Sequence, residues 1–548
     1  MNKLMLAGAS ILAMAMTAPL YAQSNTSAVI QDGSDNIVTV NQPGASNTSI
    51  VEQTAGSQFN ETAVTQEGVG STSDVTQSGV GTGVGDENLV DVYQGGDGAN
   101  SIVDQSGGAE LDAEIDQFSG ASSSSATQSG TNNSLEVHQL GDLNSSTVNQ
   151  SGSGNRVGTA LDGFDEGVIQ NGFSNSSGVT QTGFNANVAV TQIGDLNSST
   201  VFQEQNAQDA VVNQTDFGNT SMIFQSQRAN FADVNQTTGG NTSDIIQDGE
   251  VGDVDVDQTG SGNDSFVDQD DNTDRGEITI NQSGNDNESD AFQDDDDSVI
   301  THTQSGNFNR ADTNQGSDDS VSTITQSGNN NIATVVQGDV SGNQTSTITQ
   351  SGSRNTAIVV RQGSDASGPF DDNNTSTIVQ SNDDNTGSVE QVAQNSTHSL
   401  DQSGTFNTST TVIGDLTPNA SPLPSGSMVT INQEGDVNTS TVTASATNGL
   451  VFVDQIGSGN GSIVTQTLGG NGSSADVNQD GMDGVSEITQ GGTSQMAVLN
   501  QDGSLNMSFI TQDGASNMAT VSQGGTSDVS NVTQSGTGNV ATVVQNFP

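Results

Sequence analysis

Short segments of alternating apolar and polar residues recur along the chain, each closing on a glutamine. The glutamines stand at 31, 42, 53, 66, 77, 94, 105, 117, 128, 139 and 150, then from 170 to 545 with few gaps. With Ile413 and Ala444 taken as substituted members there are 44 segments, and 33 of the 43 intervals between them are 11 residues. Two residues before the Gln stands Val, Ile or Leu in 39 of the 44 segments, as in Val29, Val201, Ile324 and Val543. The residue just before the Gln is mostly Thr, Asn or Asp, as in Thr325, Asn213 and Asp257. Period-two alternation rich in β-branched residues is the mark of a strand with one covered face. Gly commonly follows two after the Gln (Gly33, Gly79, Gly328, Gly514) and Asn five after it (Asn36, Asn331, Asn517). Both are turn residues that tolerate positive φ. Each unit is therefore predicted as a strand of ~6 residues and a turn of ~5.

The position four before the Gln shows a longer repeat. It reads Ser199, Ala210, Ser221, Ala232, Ser243, Val254 in one stretch and Ser486, Ala497, Ser508, Ala519, Ser530, Ala541 in another. Serine alternating with an apolar residue makes the structural period 22, two unlike strands to a coil. The phase slips at Ile300–Ala311 and again around Gly387 and His398. The expected fold is all-β: a parallel β-solenoid with two strands per ~22-residue turn and cross-β, amyloid-like stacking. Ser strands should stack on Ser strands and Ala strands on Ala strands around a thin core. Phe202 and Phe224, one period apart, should stack outside it. After Pro19 the prolines are 43, 369, 418, 422, 424 and 548, none inside an expected strand, as ladder hydrogen bonding requires. Loop insertions are expected near 78–88, 151–165, 363–374 and 414–427, the proline-bearing ones leaving the coil at turns.

Composition narrows the class. Of 548 residues, 66 are Asp or Glu and 7 Lys or Arg, a net charge of −59, with 29 % apolar residues, 3 % aromatic and no Cys or Trp. Such a balance ordinarily reads as disorder, but a disordered chain has no reason to keep an 11-residue count. Zero Cys excludes disulfides, thiol catalysis and Cys-ligated zinc. The acidity argues against nucleic acid and anionic lipid as partners. Residues 1–22 differ from the rest: Lys3, an apolar run from Leu4 to Ala18 and Leu20-Tyr21-Ala22 read as a secretory signal peptide. The repeat then occupies 23–548, and no later segment is apolar enough to insert in a membrane.

The repeat resembles the curlin repeat of curli subunits, S-x5-Q-x-G-x2-N-x-A-x3-Q. Ser320, Gln326, Gly328, Asn331, Ala333 and Gln337 match it completely. Gln512, Gly514, Asn517, Ala519 and Gln523 match the later part, with Asn506 in the leading place; Gln534, Gly536, Asn539, Ala541 and Gln545 do the same, with Asp528 leading. The resemblance implies a secreted structural protein, a functional-amyloid subunit or nucleator of a biofilm matrix, exported through an outer-membrane pore of a Gram-negative bacterium. Its partners would be further copies of itself, related curli-type subunits, the pore, and cell or abiotic surfaces. The array is longer and more acidic than a typical major subunit. The other reading is a monomeric or tethered surface adhesin that uses its acidic flank.

Other chemistry is sparse, and neither enzyme activity nor a cofactor is expected. Carboxylates one rung apart repel by ~0.9 kcal/mol in water at ~4.8 Å, so acids such as Asp294 to Asp297 read as a solvated face, with Ca2+ binding as the functional alternative. Gly95 to Val103 approximates a calcium-binding nonapeptide without its tandem period. His138, His302 and His398 stand apart in strands, with no Asp or Ser geometry implied. Thr345, Thr347 and Thr349 resemble the threonine arrays of ice-binding solenoids, but the triplet is not expected to persist on neighbouring rungs.

Overall fold

The computed structural model describes residues 24–81, 88–108, 110–158, 167–270, 275–294, 296–338, 343–362, 373–414 and 425–545. The signal peptide and the prolines at 369, 418, 422, 424 and 548 lie outside these residues, as do most of the insertion residues at 78–88, 151–165, 363–374 and 414–427.

Every regular element among the described residues is a β-strand. The chain divides into two compact units, Met1–Gly262 and Asn263–Pro548. Each is a parallel β-solenoid in which successive strands go alternately to two facing sheets. In the first unit Thr26–Ser34 pairs with Thr48–Gln58, Gln31 against Gln53, and Ile37–Asn41 pairs with Asn60–Gln66. In the second, Glu277–Asn285 pairs with Val299–Asn307 and Glu288–Gln293 with Arg310–Gln315, Gln against Gln in both. The 22-residue, two-strand coil expected from the Ser/Ala alternation is the observed one, and Phe202 stacks on Phe224 with ring centroids 5.4 Å apart.

Burial follows the alternation. Val321–Asn329 buries Ser322, Ile324 and Gln326 and turns Val321, Thr323 and Thr325 outward. A coil thus buries only a few apolar side chains, each contributing about 1.5–3 kcal/mol. The inward Gln and Asn rows beside them are hydrogen-bonded from coil to coil, as buried amides require.

The two halves of a coil are less alike than a uniform strand and turn. Strands of six residues, such as Ile332–Gln337, alternate in the middle of the second unit with strands of nine, such as Val321–Asn329, which run on through the Gln-x-Gly. Only Asn330 and Asn331 separate these two. Gly328 sits at φ 140°, and a Cβ there would meet Gly352 O at 1.8 Å, so this corner admits glycine alone. The Asn five after the Gln is not the positive-φ residue. That conformation belongs to the residue before it: Asp35, Asn330 and Ser516 at 57°, 58° and 55°. The Asn itself points inward.

The expectation that like strands always stack on like fails at the phase slips. In the second unit one sheet carries Ser265 and Ser289, then Ala311, Ala333, Ala357 and Gly387, then Ser409. Its partner sheet carries Ile278 and Ile300, then Ser322, Ser346, Ser376 and His398, then Val429. Strand pairing carries through both exchanges, with a register shift after Val335 that still sets Gln337 against Gln362, so the rows exchange sheets while the coil continues. Arg156–Val157 and Val168–Asn171 together fill one rung, both pairing with Ser134–Gln139.

Candidate functional site

The inward glutamines form hydrogen-bond ladders. Gln304 Nε2 donates to Gln326 Oε1 at 2.9 Å, and Gln326 Nε2 donates to Gln350 Oε1 at 2.9 Å and to the Arg310 carbonyl at 2.9 Å. Each amide thereby ties its own sheet to the next coil and to the opposite sheet. Gln315 Nε2 likewise donates to Gln337 Oε1 at 2.7 Å, and Gln337 reaches the Val321 carbonyl at 3.2 Å. The ladder has a direction: the amide of an earlier coil donates to the carbonyl of the next.

The Asn row is a second ladder, bonded in both directions along the coil. The Asn331 backbone N–H donates to Asn309 Oδ1 at 3.1 Å, while Asn331 Nδ2 donates to the Gly352 carbonyl at 2.9 Å. The side chain of one coil thus anchors the corner of the next. Ser320, the leading residue of the complete motif, is buried, and its hydroxyl hydrogen-bonds Ser317 Oγ at 2.8 Å. Ala333 is fully buried in the core.

The two later motifs lie on adjacent rungs and are joined directly. Gln512 Nε2 donates to Gln534 Oε1 at 2.9 Å, Gln523 Nε2 to Gln545 Oε1 at 2.8 Å, and the Asn539 N–H to Asn517 Oδ1 at 2.9 Å. Gly514 and Gly536 take φ 105° and 99°, and Ala519 is buried with Ala541 packed against the same core. The Ser320 to Gln337 set occupies a separate coil. The last described rung is open: its inward Ala541 and Val543 are only partly buried, where Ala519 and Val521 one coil earlier are fully buried.

Two buried histidines bridge polar groups within the core, which the sequence pattern did not reveal. His302 lies at the first exchange of rows; its Nδ1 hydrogen-bonds Ser289 Oγ at 2.8 Å and its Nε2 Thr313 Oγ1 at 2.7 Å. His398 lies at the second, between Ser376 Oγ at 3.4 Å and Thr411 Oγ1 at 3.2 Å. Close Ser geometry therefore does exist, against expectation. Burial holds both imidazoles down to about 3, so they are neutral bridges. Thr313 and Thr411 replace the usual Val or Ile, a departure from the repeat that marks the site. His138 is different: it is half-exposed, 3.3 Å from Asp116, and that hydrogen bond raises its pKa.

Outward acids gather in the first unit. Asp233 pairs across the rung with Asp255, and Asn235 with Asp257. Burial, then repulsion from Asp255, Asp257 and Asp253, pushes Asp233 up to about 6. Among the described residues no group of three or more His, Asp or Glu is disposed to hold a metal ion.

In-register sheets, inward amide ladders and an open end rung define the class: a parallel, cross-β repeat scaffold. The curlin-associated repeat family matches residues 130–158, which span the rungs of Gln139 and Gln150. No curated protein matches it.

Proposed function

We propose that the protein is an extracellular structural subunit or nucleator that polymerises end to end into curli-like matrix fibres. The observation that carries this reading is the polarity of the ladders at their ends. Among the described residues, Gln31 and Gln42 donate to Gln53 and Gln66 but accept from no earlier coil. Gln534 and Gln545 accept from Gln512 and Gln523, and their own amides turn back to the Met518 and Val529 carbonyls. In the Gln rows one end offers carbonyls and the other N–H groups. An exposed strand edge is a template for another chain, and these two edges are complementary. Curlin repeats belong to a structural, extracellular class of bacterial protein, which supports the same reading along with a signal peptide at 1–22 and passage through an outer-membrane pore. Related subunits and adhesion to cell or abiotic surfaces are the further partners. The test is electron microscopy with an amyloid dye on the exported protein after incubation. Unbranched, dye-binding fibres are expected. Monomers that persist and bind a surface ligand would support the adhesin reading instead.

A further inference from the structure

We propose that the outward face of one sheet of the second unit, from Val299 to Val379, binds the ordered water of an ice surface. Strands Val299–Asn307, Val321–Asn329, Thr345–Ser353 and Thr375–Ser381 pair without a break in register. That register places Thr301, Thr323 and Thr347 in one column and Thr303, Thr325 and Thr349 in the next, continued by Thr377 and Val379. The Thr-x-Thr pattern therefore does persist on neighbouring rungs. The linear sequence hides this because Val321 and Thr345 are 24 residues apart, not 22.

Three features mark this face. Its twelve outward positions hold nine threonines, three valines and no charge, in a protein of net charge −59. The uncharged field ends at Glu277 on one flank and Asp401 on the other. The six threonine hydroxyls of the two columns bond to no other protein group among the described residues, whereas Thr72 and Thr405 commit theirs to Asn100 and Asp436. The face is also held to an even pitch by an amide ladder at its margin, Asn285 to Asn307 at 3.0 Å and Asn307 to Asn329 at 3.1 Å.

The pitch identifies the occupant. Neighbouring strands are ~4.8 Å apart and alternate residues ~6.6 Å apart. In tetrahedrally bonded water with oxygens ~2.75 Å apart, second neighbours lie ~4.5 Å apart and the layer repeat is ~7.3 Å, so both spacings agree to about a tenth. Threonine supplies a hydroxyl to join that lattice and a methyl group for water to close around. A carboxylate would order water radially about itself, which the lattice cannot absorb. This inference stands independently of the fibre reading.

The test is partition of the full chain into slowly growing ice, together with inhibition of ice recrystallisation. The wild-type protein is expected to enter the ice and to halt recrystallisation. Thr325→Lys and Thr347→Lys should each raise the concentration required by at least about tenfold. Thr334→Lys, outward on the other sheet, should leave it unchanged. Thr325→Leu and Thr347→Leu, uncharged and strand-compatible, make the same test should lysine disturb the strands. Exclusion of the wild-type chain from ice, equal activity of folded Thr325 and Thr347 variants, or an equal loss in Thr334→Lys would overturn the proposal. A change in sedimentation of the lysine variants would assign the face to contact between copies and overturn it equally.

Discussion

Strands Phe231–Gln236 and Asp253–Gln258 of the first unit and strands Val321–Asn329 and Thr345–Ser353 of the second bury the same pattern of positions, and each pair is joined by a Gln–Gln hydrogen bond. Outside, the first pair sets Asp233 against Asp255, and the second sets Thr323 against Thr347. One backbone design therefore carries a repelling, proton-sensitive face and a neutral hydroxyl lattice. The inward rows specify the coil, and the outward rows are free to vary in chemistry.

The sharpest way to break that distinction is to cut inward. Ile324→Ala removes fully buried side-chain volume and should cost about 2–5 kcal/mol of local stability, whereas Thr347→Ala on the outward row should change it by no more than about 0.5 kcal/mol. A solenoid unfolds locally, so the measurement is hydrogen exchange of the flanking rungs. Equal effects at the two positions would erase the contrast. Gln326→Ala comes next. It strands the Gln304 amide and the Gln350 carbonyl, and each unpaired buried group costs about 1–3 kcal/mol. Its loss of protection should extend one coil in each direction, which a simple packing defect would not do.

The acidic face gives a pH response opposite to ordinary acid denaturation. Asp233 is raised to about 6, and burial raises Asp253 and Asp255 too. The folded state then holds more protons than the unfolded state between the two pKa values, so stability falls as pH rises through that window and is recovered on acidification from about pH 7 to about pH 4. Thermal melts should rise over that range, and Asp233→Asn should blunt the rise. Fibre growth should quicken under the same acidification and with millimolar calcium, which screens the same carboxylates; dye kinetics flat across both titrations would contradict it.

The smallest expected effect is a gain. The Ser462 hydroxyl is buried without a hydrogen-bond partner, so Ser462→Ala should stabilise its rung by about 1 kcal/mol. A loss there would mean that the Ser row is satisfied by water within the core.

Much of this architecture is legible in the linear sequence. The Gln count fixes the rung, the Ser/Ala alternation fixes the two-strand coil, and the spacing of Phe202 and Phe224 correctly anticipates their stacking. What is not legible depends on which sheet a strand joins. The exchange of rows between Ile300 and Ser322 reads as a slip in phase, yet the backbone register is continuous and the mismatch is absorbed by His302 and Thr313. The inward turn of Asn331 is hidden for a related reason. Its positive-φ neighbour, Asn330, is equally suited to a turn, and composition cannot say which of the two bends the chain. The threonine columns are hidden because Val321 and Thr345, paired in space, are 24 residues apart in sequence.

The central claim is that ladder polarity drives end-to-end stacking of in-register coils. Diffraction from oriented fibres of the exported protein tests it most directly. The account predicts a reflection at ~4.7–4.8 Å along the fibre axis. A chain that forms no fibres, or fibres with that spacing perpendicular to the axis, would contradict it.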